Sequence, residues 1–286
     1  MTTNKPTRGI SWQHTLERLS ERDLRILDHL ERFRMLTTRQ LQRLHFPVSE
    51  SAGDGGHASD GAAIKATTRA MNRLLEHQVV SILDQRRGGH RAGSRGLIWQ
   101  LAPKGSRIQQ ERLGRGNSHR YAEPGSMFIE HILGVADLAI TVFEAQRHGL
   151  LEVLDIEAEP TNWRTFLGPH MKTVTVKPDL TLVTARGSFE EHWFIEYDRA
   201  SEHLPKVIGK CRTYAAYAAA GAEQAERGVF PRVLWVVPDE RRRAAIQRAI
   251  ESERALPNDY FVVCTVDRFA EVITSPTPEG LEDDGT

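Results

Sequence analysis

Residues Ala62–Leu101 read AAIKATTRAMNRLLEHQVVSILDQRRGGHRAGSRGLIWQL, and this stretch decides the fold of the first half of the chain. Met71, Leu74 and Leu75 fall on one side of a 3.6-residue period with Thr67 and Ala70. Lys65, Thr68, Arg69, Asn72, Arg73 and Glu76 fall on the other. The spacing predicts an amphipathic helix from about Ala62 to His77. Val79–Leu83 then reads as a strand and Leu97–Leu101 as its return. Between them lies a basic, glycine-rich turn carrying Arg86, Arg87, His90, Arg91 and Arg95. Together they predict a hairpin with a long, positively charged tip.

Upstream, residues 1–19 read as a flexible lead-in. Ser20 starts a capping pattern with Asp23, and Leu24, Ile26, Leu27, Leu30 and Phe33 follow at helical spacing. Thr37 or Thr38 caps a second, short helix holding Leu41, Leu44 and Phe46, and Pro47 stops it. The Gly- and Ser-rich run 49–61 reads as a flexible loop inside the same domain. Three helices followed by a hairpin predict a winged helix-turn-helix over residues 20–116. Its third helix turns Lys65, Thr68, Arg69, Asn72 and Arg73 outward. The cations there suit phosphates or guanine edges, and Asn72 suits an adenine edge. Arg86, Arg87, His90, Arg91 and Arg95 would lie along a phosphate backbone or enter a minor groove. The competing reading is a helical interaction domain whose arginines are only solvated.

The charge distribution agrees. The net charge of the 286 residues is zero, yet residues 1–116 hold 20 Lys and Arg against 11 Asp and Glu, and residues 117–286 hold 18 against 27. A basic half suits a polyanionic partner and an acidic half does not. No apolar run approaches a membrane span and no signal-peptide core opens the chain, so a cytoplasmic protein is expected. Cys211 and Cys264 stand alone, without zinc or redox spacing, and are expected as two buried free thiols. Nothing resembles a Walker loop or a dinucleotide fingerprint.

A polar Gly-, Ser- and Pro-containing stretch at 114–126 marks the expected domain boundary. A second, α/β domain is expected over 127–274. It comprises a long helix over 127–148, strands near 152–158, 174–184 and 191–198, a helix over 203–219, a strand at 232–237, a helix over 239–251 and a last strand at 260–266. Residues 275–286 form an acidic tail that reads as disordered. In HWFIEYD, strand alternation puts Glu196 and Asp198 on one face, and Asp179 is placed to join them from the neighbouring strand. Three such carboxylates suit Mg²⁺ or Mn²⁺. The histidines have no ligand spacing.

The segments LTTRQLQRLHF (Leu36–Phe46), TTRAMNRLLEHQVV (Thr67–Val80) and IWQLAPKG (Ile98–Gly105) resemble the replication-relaxation family. So do FIEHILGVADLAI (Phe128–Ile140), KPDLTL (Lys177–Leu182), FIEYDRASE (Phe194–Glu202) and KVIGKCRTYAAY (Lys206–Tyr217). The resemblance implies a DNA-binding protein of plasmids, integrative elements or phages, linked to replication, transfer or control of the element. The element order of the second half also resembles the PD-(D/E)xK nuclease-like fold. That likeness implies metal binding by Asp179 and Glu196, with a lysine assisting the attacking water. Here Asp198 stands where the lysine is expected, and Lys210, with Lys206 one turn earlier, is the displaced substitute. The preferred reading is a double-stranded DNA-binding regulator that needs no cofactor for binding. Its second domain would be non-catalytic, serving homodimerisation or contact with replication or transfer machinery, and no membrane partner is expected. The alternatives are a metal-dependent endonuclease using Asp179, Glu196, Asp198 and Lys210, and a scaffold for a relaxase or transfer ATPase.

Overall fold

The computed structural model describes residues 11–49, 56–83, 97–114, 126–168 and 171–275. The protein is mixed α/β and divides into two compact units, residues 1–136 and 137–286.

The first unit opens with α1 (Trp12–Leu16), a turn of helix capped by Ser11 within what the sequence suggested was an unstructured lead-in. Next comes α2 (Glu21–Phe33), where Ser20 and Asp23 cap each other reciprocally. β1 (Leu36–Thr37) leads into α3 (Thr38–His45), and Thr37 and Gln40 form a second capping box. Each cap satisfies helix-end N–H groups and contributes about 1 kcal/mol. α4 (Asp60–Glu76) follows, then β2 (Val80–Ile82), β3 (Ile98–Leu101) and α5 (Pro103–Leu113).

The strands form an antiparallel sheet in the order β1-β3-β2. Trp99 on β3 is buried and donates its indole N–H to Thr38 Oγ1 at 2.9 Å, tying the sheet to the start of α3. Ile26, Leu27 and Leu30 of α2, Leu41 of α3 and Met71 and Leu74 of α4 fill the core. Full burial of such a side chain stabilises by about 2 kcal/mol. Gly105 lets α5 approach the backbone just before β2, since a Cβ there would stand 2.0 Å from the Val79 carbonyl oxygen.

His29 on α2 and His45 on α3 face each other, with Nδ1 and Nε2 3.1 Å apart. Burial, aided by the nearby Arg32 charge, pushes the His29 pKa down from 6.5 to about 4. The fold therefore refuses a proton that the unfolded chain accepts below about pH 6.5. Stability is complete above that pH and is lost as pH falls toward 4. Between pH 7 and pH 5 the wild-type chain should lose about 2 kcal/mol on this account. His29→Phe should remove most of that slope, and an unchanged slope of Tm against pH in the variant would refute the assignment.

α6 (Ser126–Arg147) spans the division between the units. Within the first unit its Ile129 and Ile132 pack with Met35 and Leu83, and Gln40 Nε2 donates to Leu133 O at 2.8 Å. In the second unit a five-stranded mixed sheet runs in the order β10-β9-β8-β7-β4. It is built from β4 (Glu152–Ala158), β7 (Leu180–Arg186), β8 (Phe189–Tyr197), β9 (Arg232–Val237) and β10 (Phe261–Thr265). β4, β7 and β8 are antiparallel, whereas β8, β9 and β10 are parallel. β5 (Arg164–Leu167) and β6 (Thr173–Val176) form a separate hairpin. The single strand expected over 174–184 is thus two, parted at Lys177-Pro178-Asp179, where proline cannot donate to a ladder.

α7 (Leu204–Ala220) and α8 (Ala222–Arg227) make the crossover between β8 and β9, α9 (Glu240–Ser252) joins β9 to β10, and α10 (Phe269–Thr274) ends the described chain. α7 and α9 pack Val207, Tyr214, Tyr217, Ile246 and Ile250 onto Phe194, Val233 and Trp235 of the sheet. Cys211 and Cys264 are both buried and free, and burial lifts each thiol to about 12, which leaves them unreactive.

Candidate functional site

Two clusters of polar side chains stand out, one in each unit. The first is the outer face of α4. Ala63, Thr67, Ala70, Met71 and Leu74 are buried, and Lys65, Thr68, Arg69, Asn72 and Arg73 are exposed. The 3.6-residue period produces this division, with small or apolar residues inward; Leu75, expected on the inward side, is instead exposed near the end of the helix. Among the described residues Lys65 and Arg69 have no ion-pair partner. Thr68 donates its hydroxyl to Ile64 O at 2.9 Å, leaving its oxygen free to accept.

Arg73 differs from the expectation. Its Nη2 lies 2.5 Å from Oδ1 of Asp23, a carboxylate 2 % exposed, so Arg73 ties α4 to the capped start of α2. Half its side chain remains accessible, but its first task is structural. Two open grooves flank Arg69. One, about 650 Å³, is lined by Arg22, Arg25, Phe46, His57 and Arg73, among others. The other, about 520 Å³, is lined by Ala62, Ile64, Lys65 and Thr68. The basic tip residues Arg86, Arg87, His90, Arg91 and Arg95 lie outside the described residues.

The second cluster lies at the C-terminal end of β8. Leu180 pairs with Ile195 in the antiparallel register, which sets Asp179 beside Glu196. Asp179 Oδ2 accepts the Tyr197 backbone N–H at 2.7 Å. Glu196 is fully buried and both its oxygens are engaged: Oε2 by Lys210 Nζ at 2.9 Å and Oε1 by the Tyr214 hydroxyl at 2.6 Å, both from α7. Burial, reinforced by the Asp179 charge, pushes the Glu196 carboxyl up to about 7, while Lys210 opposes the rise. The Glu196 carboxylate in turn holds the Lys210 ammonium above its ordinary range against the effect of burial, and Tyr214 is raised by burial and by the same carboxylate.

The expected trio does not assemble. Asp198 lies past the end of β8 and turns to α9, where Arg242 Nε sits 2.5 Å from its Oδ2. Its Oδ1 accepts the Ala200 N–H at 3.1 Å. Arg242 also donates to Glu202 O at 2.6 Å, locking the β8–α7 connection. A buried carboxylate is held by its nearest cation, and for Asp198 that cation is on a different helix from the one serving Glu196. Among the described residues no group of three or more His, Cys, Asp or Glu side chains is arranged to hold a metal ion. Glu196 and Asp198 are each engaged at both oxygens by protein groups. Lys210 does reach the acid, as expected of it, whereas Lys206 pairs with Glu202 at 2.6 Å. Arg242 was missed because 44 residues separate it from Asp198, and it sits in an exposed-looking ERRR run.

These features define an α/β protein with an exposed cationic helix in one unit and a buried acid–lysine–tyrosine cluster in the other. The sequence profile of the replication-relaxation family matches residues 27–233, well over half of the chain, and the chain belongs to that family. Membership connects it with the replication or transfer of plasmids and other mobile elements. Neither the curated proteins nor the solved structures include a match. Among the described residues no helix is long and apolar enough to cross a membrane.

Proposed function

We propose that the chain binds double-stranded DNA of a mobile element through a winged helix-turn-helix made of α2, α3, α4 and β1–β3. α4 would be the recognition helix. Binding would control transcription, replication or transfer of the element. The second unit, PD-(D/E)xK-like in element order, would be non-catalytic and serve dimerisation or contact with the replication or transfer machinery. The observation that carries the reading is the division of α4: an apolar side sealed in the core, and an outward side offering Lys65, Thr68, Arg69 and Asn72. A helix fixed on one face and cationic on the other suits a major groove flanked by phosphates. The excess of Lys and Arg over residues 1–116 supplies the long-range attraction.

Full-length protein titrated with labelled duplex DNA tests this reading. The logarithm of the binding constant should fall linearly with the logarithm of salt concentration, with a slope of about −0.9 for each phosphate neutralised. Binding that ignores salt, or none at all, would refute it.

A second reading, a metal-dependent endonuclease, draws support from Lys210 Nζ standing 2.9 Å from Glu196. Supercoiled plasmid incubated with the protein and Mg²⁺, Mn²⁺ or chelator separates the two. The occupied carboxylates favour intact plasmid in every lane. Metal-dependent nicking that disappears in Asp179→Ala would install the nuclease in place of the regulator.

A further inference from the structure

We infer that the first turns of α2 form a second seat for the DNA backbone, in which Arg22 and Arg25 hold phosphates beside the groove entered by α4; the inference rests on the DNA-binding reading above. Arg22, Arg25, Phe46, His57, Arg69 and Arg73 line a single open groove of about 650 Å³. The two helices meet there, and the pair between half-exposed Arg73 and buried Asp23 fixes the start of α2 against α4, and with it the helix positions that carry Arg22, Arg25 and Arg69.

Arg22 is pre-positioned. Its guanidinium carbon lies 4.9 Å above the centroid of the Phe46 ring, and that ring is packed against His57 with centroids 5.9 Å apart. Stacking occupies the face of the guanidinium and leaves its N–H edge available in the plane, the geometry that suits a phosphate oxygen pair. Among the described residues no carboxylate pairs with Arg22. Arg25 pairs with Glu21 at 3.1 Å, and both side chains are well exposed. An exposed pair of this kind is held weakly, so an incoming phosphate can replace Glu21. Glu21 is then a brake on the seat, competing for the cation the DNA needs. The shared wall at Arg69 and His57 continues the groove into the one lined by Lys65 and Thr68. The cations of α2 and α4 are thus arranged along one track, as a polyanion requires. A phosphodiester backbone carries such spaced charges and a single free anion does not.

The experiment uses the full-length protein, two unrelated labelled duplexes and a salt series. Arg25→Ala should lower affinity about five- to tenfold on both duplexes and make the salt slope shallower by about 1. Arg22→Gln should do the same. Glu21→Gln should act in the opposite direction and tighten binding, because it releases Arg25. The Arg25 and Glu21 side chains are exposed, so their variants should melt close to the wild type, and they keep the test decisive if Arg22→Gln disturbs Phe46. Wild-type affinity in Arg25→Ala and Glu21→Gln, alongside weakened binding in Lys65→Ala, would overturn this inference and leave the DNA-binding reading standing. Absence of duplex binding by the wild type would overturn both. Inorganic phosphate that raises the wild-type Tm but not that of Arg22→Gln, with duplex affinity unchanged by the variants, would mark a free-anion site and overturn the backbone seat.

Discussion

Replacing Lys65 and Arg69 together by alanine should lower the affinity for duplex DNA about 100-fold, close to 3 kcal/mol. Both side chains project from the face of α4 that the core leaves bare, and neither pairs with an acid among the described residues. The double variant should therefore keep the wild-type Tm, and its whole effect should appear in binding. Fluorescence anisotropy near physiological salt, on one duplex that the wild type prefers and one scrambled control, reads the loss. Equal losses on both mean that the pair contacts phosphates; a larger loss on the preferred duplex means a base edge. A change below about threefold on both would remove α4 from the interface. Arg73→Ala is a poorer probe, because it also strips the buried Asp23 of its partner and mixes folding with binding.

The second large effect concerns the buried cluster. Lys210→Met keeps most of the aliphatic stem and removes the charge that neutralises Glu196 at 2.9 Å. At pH 8 the variant should be about 3 kcal/mol less stable than the wild type, near the lower end for a broken buried pair because Lys210 partly reaches solvent. The cost should shrink on acidification. Glu196 already has its carboxyl pushed up to about 7, so its contribution to stability is greatest at low pH and declines as pH rises from about 4.5 through 7. Without Lys210 that decline should extend to higher pH, so the gap between variant and wild type widens from pH 5 to pH 8. Glu196→Gln should flatten the curve. A gap independent of pH would assign the contribution of Lys210 to packing over Trp235 instead.

What the sequence revealed of this molecule follows from the range of the interactions involved. α4, the caps at Ser20 and Thr37, and β8 were legible because helix period, capping spacing and strand alternation are local. β1 was not, since two residues carry no period and Leu36–Thr37 become a strand only by pairing with Ile98 and Trp99. α5 was hidden for a similar reason: its mildly amphipathic PKGSRIQQERL becomes informative once Gly105 is seen against Val79. In the second unit, alternation put Glu196 and Asp198 on one face of β8. It could not show that the strand ends at Tyr197, nor that Arg242 would draw Asp198 toward α9. The pairing of Lys210 with Glu196 was within reach, because the lysine lies one helix after the strand and α7 packs directly on it.

In the first sheet β2 and β3 are aligned by the pairs Val80–Leu101, Ser81–Gln100 and Ile82–Trp99, and β3 is fixed independently by Leu36 and Thr38. The frame therefore does not depend on the span joining Leu83 to Leu97. Loop-closure entropy rises only logarithmically, by about 0.6 kcal/mol for each doubling of length. A change in the length of that span should therefore cost the fold little. The strand pairs, anchored from both sides of β3, carry the stability of this frame whatever the length of that connection.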